Sequence, residues 1–589
     1  MVLSTMNMAL LALLLPFVSA LPVAEVVERQ ASSSHTSLIS QPDGPTEYQI
    51  SYGPRPYYII NNMTASPLKT KLQSCQNGPF SVTSWSIGHR GGGTLQFPEE
   101  SVQSENAGAR MGAGILECDV SFTNDMQLVC RHSLCDLHTT TDILLRPDLA
   151  KKCTTPFTPA NATSAANVLC CTSDITLAEY GTLCSKMDGF NASARTVQDY
   201  QTGIPSFRTQ LYDTCATPLS LNAYIDLVNS YPGYRNFTPE LKTPPAQVPM
   251  PFKGVYTQQQ YARDMLNAFV NKGIDPSRVF AQSFNPPDVF QWIKEYPAFG
   301  AQAVYLDESG DSNNISAAAA RLPSLKAQGV NIISPPFNYL LTYGDATNKT
   351  IVPSVYATTA KAAGLDIIAW SFDRSGPLDR VLATQDYYYN TINQAVHYDG
   401  QLYEILNILG NEIGIVGLFS DWSATVGYFA NCFGLTGPKG GSYYASQLAA
   451  SSSAAAKASS TAVSSATKAS SAAVTSSSAA KASSTAAASS SKVTGAPVSQ
   501  ISDGQVQVSK TAASSAPSST KASSAAVSQI SDGQVQVSKT TAASASASAS
   551  SIKATSASAS VSASTPTTKA SSAAVSQLSD GQVQASTKA

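Results

Sequence analysis

The sequence predicts an α/β protein built on a closed barrel of eight strands and eight helices, with a cysteine-rich insertion and a disordered Ser/Ala-rich C-terminal tail. Three observations support this. Short apolar runs alternate with longer helical stretches, as expected of parallel strands joined by helices. Nine of the ten cysteines lie between Cys75 and Cys215. Composition changes abruptly near Ala445, leaving a body of roughly 400 residues, which suits one barrel domain.

The tail differs from the body in both composition and charge. Residues 445–589 contain no Trp, Tyr, Phe or Cys, so they cannot bury enough apolar surface to offset the entropy of ordering. The whole chain has 37 Lys+Arg and 39 Asp+Glu. The tail has ten Lys and three Asp, a net charge of +7, and the rest therefore has 27 basic and 36 acidic residues, a net charge of −9. This balance argues against a nucleic-acid-binding protein.

The N-terminus has the features of a secretion signal. Residues 8–18 form an apolar run too short to span a bilayer, and Val18-Ser19-Ala20 has the small residues of a cleavage site. A buried core helix is the alternative. We predict a signal peptide over residues 1–20 and an N-terminal segment over 21–80, in which Glu28-Arg29 is a candidate end of a propeptide. We find no transmembrane anchor elsewhere in the sequence, nor a lipid-anchor signal.

Other features agree with export. The even number of cysteines favours disulfides in an oxidising compartment, and the adjacent Cys170 and Cys171 should have different partners. A zinc site is disfavoured because the chain has no Cys-x-x-Cys pair. Six Asn-x-Ser/Thr acceptors for N-linked glycans occur, all of them in the body: Asn62, Asn161, Asn191, Asn236, Asn314 and Asn348.

Nine runs compete for the eight places of a closed barrel within residues 81–440. We expect the run at 330–333 to be the spare one. The interval 136–235 contains five cysteines and no clean strand, so it is predicted to be an insertion between the third and fourth strands. The nine runs are 85–89, 115–120, 128–132, 236–241, 279–284, 303–306, 330–333, 367–372 and 415–419.

Acidic residues cluster at two predicted strand ends. Glu117 and Asp119 are two residues apart, so both carboxylates leave the same face of a strand. Two acids so close repel each other unless a cation or proton lies between them. Glu240 ends another strand and would complete an oxygen-rich site for Mg²⁺ or Ca²⁺. The alternative is a solvated edge strand with alternating charges.

Two histidines and an arginine occupy similar positions. The chain has only five His, and His89 and His132 each end an apolar run, where an imidazole can exchange protons near neutral pH. A satisfied core histidine is the alternative for either one alone. Arg90 precedes three glycines, and a guanidinium in such a loop can bind phosphate oxygens.

The order of these motifs resembles the glycerophosphodiester phosphodiesterase family, in the branch with an insertion after the third strand. The resemblance implies a TIM barrel that hydrolyses glycerophosphodiesters to glycerol 3-phosphate and an alcohol. It also implies that Glu117, Asp119 and Glu240 bind one divalent metal, that His89 and His132 are the acid/base pair, and that Arg90 and Lys242 hold the phosphate. The supporting motifs are His89-Arg90-Gly91, Pro98-Glu99, Glu117-x-Asp119, Thr123-x-Asp125, His132, Glu240-x-Lys242, Gln282-Ser283-Phe284, Trp370-Ser371-Phe372 and Phe419-Ser420-Asp421.

The sequence departs from that family pattern at two places. Ser133 follows His132 where the family usually has Asp, and Glu100-Ser101 follows Glu99 where Asn or His followed by Thr is common. Because the missing Asp is expected to orient its neighbours, its loss bears on the rate more than on the existence of the site.

The tail contains one unit three times, at residues 498–507, 527–536 and 575–584. The copies resemble the repeats of Pir-type yeast cell-wall proteins, in which a glutamine is esterified to β-1,3-glucan. The matching residues are Gln505, Gln534 and Gln582. Unequal spacers argue against a solenoid, and a flexible tether is expected instead. Inert low-complexity sequence is the alternative.

Together these patterns predict a secreted, wall-associated phosphodiesterase that acts on small glycerophosphodiesters. One alternative is a non-catalytic wall protein that uses the barrel as a scaffold. Another is a phospholipase of a related barrel type, which acts on intact lipids.

Overall fold

The structure is a computed structural model that describes residues 49–211, 215–233, 235–310, 314–345, 347 and 349–446, together with six short strands between residues 498 and 584. In the body its strands are β1 (Thr83–Gly88), β2 (Ala113–Phe122), β3 (Leu128–Cys130), β4 (Thr155–Thr158), β5 (Asn167–Leu169), β6 (Asn236–Leu241), β7 (Gln282–Ser283), β8 (Val304–Leu306), β9 (Ile332–Ser334), β10 (Leu341–Tyr343), β11 (Ile351–Pro353), β12 (Asp366–Phe372) and β13 (Gly417–Ser420).

The helices surround the sheet and connect most of its strands. They are α1 (Arg55–Asn62), α2 (Pro67–Ser74), α3 (Val102–Arg110), α4 (Leu137–Thr140), α5 (Pro147–Ala150), α6 (Leu177–Tyr180), α7 (Val197–Tyr200), α8 (Leu221–Ser230), α9 (Gln258–Asn271), α10 (Pro286–Glu295), α11 (Pro297–Gly300), α12 (Ile315–Ala327), α13 (Val355–Ala362), α14 (Val381–Thr384), α15 (Gln401–Asn407) and α16 (Ser423–Phe433). Within the described residues, no helix is both long and apolar enough to cross a membrane.

Eight parallel strands close into the predicted TIM barrel. Going round the barrel, the order is β1, β2, β6, β7, β8, β9, β12 and β13, and β13 pairs with β1 to close the ring. Strand β2 is buried along its whole length, as expected of a strand between a packed barrel interior and a helical layer. The barrel confirms the predicted fold class.

The structure corrects the choice of the spare strand. Residues Ile332–Ser334 form a true barrel strand, parallel to both β8 and β12. The extra strand is β3, which runs antiparallel to β2 with Val120 opposite Cys130. A short loop joins β2 to β3, and such a loop permits only an antiparallel return. The insertion therefore follows the second barrel strand and its hairpin, and precedes the third barrel strand.

The insertion has a hydrophobic core of its own, separate from that of the barrel. Tyr180 and Tyr200 are buried in it with aliphatic side chains from residues 129–197. Three disulfides lie inside this region and two tie other parts of the body. The pairs are Cys135–Cys171, Cys153–Cys170, Cys184–Cys215, Cys118–Cys130 and Cys75–Cys432. The prediction that adjacent Cys170 and Cys171 have different partners is confirmed.

The predicted glycan acceptors differ in exposure. Asn62, Asn161 and Asn314 are exposed and Asn191 is half-buried. Asn236 is only 6% exposed and begins strand β6, where its amide donates a hydrogen bond to Ser84. A glycan on that amide is at odds with this position. Glu240 lies near the opposite end of the strand, so Asn236 is also remote from the carboxyl end of the barrel.

The described parts of the tail are three antiparallel strand pairs. They are Val498–Gln500 with Val506–Val508, Val527–Gln529 with Val535–Val537, and Ser576–Gln577 with Val583–Gln584. Each pair forms within one copy of the repeated unit, the first two pairs extending one residue past it, a feature that the sequence patterns did not predict. The predicted signal peptide, Asn348, the three glutamines and the rest of the predicted disordered tail lie outside the described residues.

Candidate active site

Strand register brings three carboxylates together at the carboxyl end of the barrel. Asp119 on β2 lies beside Glu240 on β6, and Glu117 is two residues earlier on the same face of β2. One oxygen from each of the three side chains lies within 4.8 Å of the others, and all three are buried. This is the end of a TIM barrel at which active sites are built.

The donor set fits a hard divalent cation. Burial raises the pKa of Glu117 well above its ordinary value, and the neighbouring Asp119 and Glu240 raise it further. Burial also raises the pKa of Glu240 to about 8 against the opposing effect of Lys242. Oδ2 of Asp119 is buried, makes no hydrogen bond to any described residue and lies 3.5 Å from Nε of Arg90. Three crowded carboxylates, one with an oxygen that accepts no hydrogen bond, are what Mg²⁺ or Ca²⁺ would neutralise.

Lys242 and Gln282 hold this acidic group in place. Nζ of Lys242 lies 2.5 Å from Oε1 of Glu240 and 3.6 Å from Oδ1 of Asp119. The Gln282 amide donates to Oε1 of Glu117 at 2.7 Å. The role of Gln282 was not predicted, although it belongs to one of the motifs that carried the family resemblance.

His89 follows strand β1 and has a carboxylate partner. Its Nδ1 atom lies 2.5 Å from Oδ1 of Asp421, just after β13, the strand that pairs with β1. The other ring nitrogen, Nε2, lies 3.3 Å from the Ser371 hydroxyl and 4.0 Å from Oε2 of Glu117. Burial and the nearby Arg90 lower the pKa of His89 to about 4, although Asp421 opposes them.

His132 follows β3 and reaches the same cavity through the β2–β3 hairpin. The ring is buried, and burial together with Arg90 and Lys242 lowers its pKa well below the ordinary value. Ser133, where the family pattern has Asp, donates its backbone N–H to Oδ2 of Asp136 at 2.9 Å. The Ser133 hydroxyl accepts from the Cys135 backbone at 3.1 Å. A carboxylate three residues later thus orders the loop that follows the histidine.

Arg90 lies in a tight glycine loop next to His89. Its backbone is left-handed, with φ of 51°, and its backbone N–H donates to Glu117 at 2.8 Å. The guanidinium binds both oxygens of Glu99, at 3.0 and 3.2 Å. Helix α3 packs directly on this loop because Gly108 has no side chain; a Cβ there would lie 1.9 Å from the Gly91 carbonyl oxygen.

One cavity collects most of the predicted site. It is lined by His89, Arg90, Glu117, His132, Glu240 and Lys242, and Asp119 lies among them without lining it. An aromatic wall completes the cavity, with Phe284, Trp370, Tyr388 and Phe419. Sequence reasoning did not assign these aromatics or Glu308, which also lines the cavity. The side chains of the five predicted metal and acid/base residues therefore meet at one end of the barrel.

Comparison with known proteins identifies the family. The sequence model described as the glycerophosphoryl diester phosphodiesterase family matches residues 89–421, more than half of the chain. The chain belongs to this family. Members are phosphoric diester hydrolases, and the matched interval runs from His89 to Asp421, the two residues that pair where strands β1 and β13 close the barrel.

The tail has a second match. The model described as the yeast PIR protein repeat matches residues 496–512, 524–541 and 572–589. These intervals contain the three predicted repeats, so the resemblance to Pir-type repeats is confirmed. A curated relative, an extracellular protein of Arthroderma benhamiae, is 45% identical over 251 residues, which cover 42% of this chain and 100% of the relative.

Solved structures similar to this chain include two phosphodiesterases. The glycerophosphodiester phosphodiesterase of Agrobacterium tumefaciens is 14% identical, covering 58% of this chain and 98% of its own, with a TM-score of 0.30. A phosphodiesterase of Oleispira antarctica, solved with its product sn-glycerol-3-phosphate, is 16% identical. The match covers 58% of this chain and 94% of that protein's chain, with a TM-score of 0.33.

Proposed function

We propose that this protein is a secreted, wall-associated glycerophosphodiester phosphodiesterase that releases glycerol 3-phosphate and an alcohol from small glycerophosphodiesters. The observation that supports it most is the cavity lined by two imidazoles, Arg90 and Lys242 beside a cluster of three carboxylates, in a chain of this family. A scaffold protein would not need buried, mutually repelling carboxylates at the barrel mouth, since burying such groups is costly.

A divalent cation, Mg²⁺ or Ca²⁺, would be held by Glu117, Asp119 and Glu240, and it would supply positive charge to offset that of the phosphodiester. Arg90 and Lys242 line the same cavity and would contact the phosphate oxygens. In the structure Arg90 pairs with Glu99 and Lys242 pairs with Glu240. Those pairs keep the two side chains positioned and charged before substrate binds.

The two histidines have different surroundings, which suggests different tasks. His89 alone of the two has a carboxylate on its ring among the described residues, and Asp421 stabilises an imidazolium there. Burial and nearby cations favour the neutral form of both rings before substrate binds. One imidazole would remove the proton from the attacking oxygen and the other would protonate the leaving alkoxide, and Asp421 would stabilise the charge whenever it forms on His89.

The attacking oxygen distinguishes two routes. We propose that the glycerol 2-hydroxyl attacks first and forms a cyclic phosphate, which water then opens; direct attack by water is the rival. Single-turnover quenching should reveal a cyclic glycerophosphate that appears before glycerol 3-phosphate. Its absence at every time point would exclude the first route.

The substrate is tested with a panel run with and without chelator. Full-length protein is incubated with glycerophosphocholine, glycerophosphoethanolamine and intact phosphatidylcholine, and glycerol 3-phosphate is measured by a coupled assay. We expect release from the deacylated substrates that stops with EDTA and returns with Mg²⁺ or Ca²⁺. Release of choline or phosphatidic acid from the intact lipid would support a phospholipase instead. Absence of activity on all three would support the scaffold alternative.

The wall attachment is tested separately. We propose that Gln505, Gln534 and Gln582 carry ester links to β-1,3-glucan and that the chain is exported by residues 1–20. The three repeats and the extracellular relative support this proposal. Mild alkali should release the protein from isolated walls, whereas hot detergent should not. A chain with all three glutamines changed to Ala should be released by detergent alone, and retention of that variant would contradict the ester.

A further inference from the structure

One arginine of the insertion contacts two carboxylates of the active site. Arg208 belongs to the segment closed by the Cys184–Cys215 disulfide, and its side chain is 1% exposed. Its Nη2 atom lies 3.0 Å from Oε2 of Glu99 and 3.2 Å from Oδ2 of Asp421. The first carboxylate binds Arg90 and the second binds His89. The Arg208 guanidinium therefore contacts both the carboxylate that binds Arg90 and the carboxylate that binds His89.

We propose that Arg208 is a positioning residue for the phosphodiester reaction, through which the insertion fixes Asp421 and Glu99 and thereby orients His89 and Arg90. This inference rests on the proposed function of the barrel. It assigns a task to the insertion, for which the sequence offered none.

The contacts of Asp421 indicate that Arg208 orients this carboxylate in addition to balancing its charge. Oδ1 faces the His89 ring, and the other oxygen, Oδ2, is bound by Arg208 at 3.2 Å and by Arg374 at 3.0 Å. Two donors, one from the insertion and one from the loop after β12, restrain rotation of the carboxylate. Without Arg208, Oδ2 keeps only Arg374 of these two donors, so the carboxylate and the imidazole on its other oxygen are held less firmly. Such outer contacts typically change activity by about 10- to 100-fold.

The position of Arg208 is set by the insertion and by its contact with the loop after β1. The Thr209 N–H donates to the Leu95 carbonyl at 2.9 Å, and the Leu95 N–H lies 3.4 Å from the Asp421 carbonyl. Ser185 pairs with Ala216 next to the disulfide. The insertion therefore meets the barrel at the segment that joins His89 to α3, close to the residues that it would orient.

The test compares two insertion arginines in the full-length protein. Arg208→Met should lower kcat about 10- to 100-fold while KM changes less than about threefold. Arg146→Met is the matched control, because Arg146 also lies in the insertion and pairs with a carboxylate, Asp142 at 2.8 Å, away from the cavity. It should keep kcat within about twofold. Arg208→Lys keeps the charge without the planar fork and should be intermediate, and it replaces Arg208→Met if that variant does not fold.

A second readout does not depend on activity. In protein labelled with ¹⁵N-histidine, the ring nitrogens of His89 are assigned by their loss in His89→Asn. We expect the Nδ1–H signal of His89 to shift or broaden in Arg208→Met and to stay unchanged in Arg146→Met. An unchanged His89 signal, or a kcat within twofold of wild type in Arg208→Met, would overturn the inference. If wild type itself released no glycerol 3-phosphate, the proposed function would fail. The His89 ring signal would still test whether Arg208 fixes the orientation of that imidazole.

Discussion

The Nδ1 atom of His89 lies 2.5 Å from Oδ1 of Asp421, although 332 residues separate the two in sequence. Closure of the barrel brings them together, because β1 and β13 are adjacent strands with Gly88 opposite Ser420. The residue after each strand then faces its counterpart. The contact between His89 and Asp421 thus depends on closure of the barrel as well as on the local sequence.

Asp421→Asn should lower kcat by about 100-fold and also lower the free energy of unfolding, because the buried Arg208 and Arg374 lose a charged partner. The amide has the same shape but carries no charge, so it cannot stabilise an imidazolium on His89. The measurement is steady-state kinetics with circular dichroism of the same samples. Asp379→Asn, an exposed aspartate on another loop, is the control. Equal kcat values for Asp421→Asn and wild type would contradict the assigned partnership.

Metal binding should stabilise the wild-type protein and not Glu240→Gln. A cation present at 100 times its Kd adds about 2.7 kcal/mol to the free energy of unfolding when it binds only the folded state. Replacing one of three carboxylates removes a ligand and a charge, so the response to Mg²⁺ or Ca²⁺ should disappear. Thermal unfolding is followed in EDTA and in excess metal. The exposed Glu412→Gln should respond as wild type does, and a preserved response in Glu240→Gln would exclude that residue as a ligand.

Glu105 is a buried carboxyl with no hydrogen-bond partner on either oxygen among the described residues, and burial raises its pKa well above the ordinary value. Its contribution to stability is greatest below the pKa of the unfolded chain and declines as pH rises towards the folded pKa. As pH increases above about 4.5, the free energy of unfolding should therefore fall less steeply for Glu105→Gln than for wild type. The two slopes should differ by up to about 1.4 kcal/mol per pH unit.

Urea unfolding from pH 4.5 to 8 measures this difference. Other buried acids contribute equally to both proteins, so they cancel in the comparison. Parallel curves for Glu105→Gln and wild type over this range would show that Glu105 does not have a raised pKa.

Gly108→Ala should destabilise the protein by at least about 2 kcal/mol and lower activity. Its new methyl group would lie 1.9 Å from the Gly91 carbonyl oxygen, so α3 or the loop carrying His89 and Arg90 must move. Gly440→Ala is the control, because a Cβ there meets nothing within 4 Å. Thermal unfolding and kcat are measured for both. Wild-type values for Gly108→Ala would mean that α3 does not pack against the loop as described.

Much of the barrel was predictable because its strands are apolar and end in polar residues. The pairing of Glu117 with Asp119 on one face follows from the two-residue period of a strand, and the structure places Glu240 beside them. The spare strand was predicted wrongly because apolar runs do not reveal direction. Residues 128–130 and 330–333 look alike in sequence, yet only the short loop before Leu128 requires an antiparallel return.

The residues that sequence reasoning missed act through long-range contacts. Asp421 was noted in a motif but had no assigned partner, since nothing local connects it to His89. Arg208 lies in an insertion with no strand signal, and its proximity to Glu99 and Asp421 depends on how three disulfides and a separate core fold that region. Such contacts have no periodic signature in the sequence.

The central claim is that two histidines share one phosphodiester reaction at this site, and kcat of the single variants tests it most directly. His89→Ala and His132→Ala should each lower the rate of glycerol 3-phosphate release from glycerophosphocholine by at least about 100-fold, with wild-type circular dichroism. The exposed His397→Ala should retain wild-type activity. Wild-type rates in either His89→Ala or His132→Ala would contradict the account.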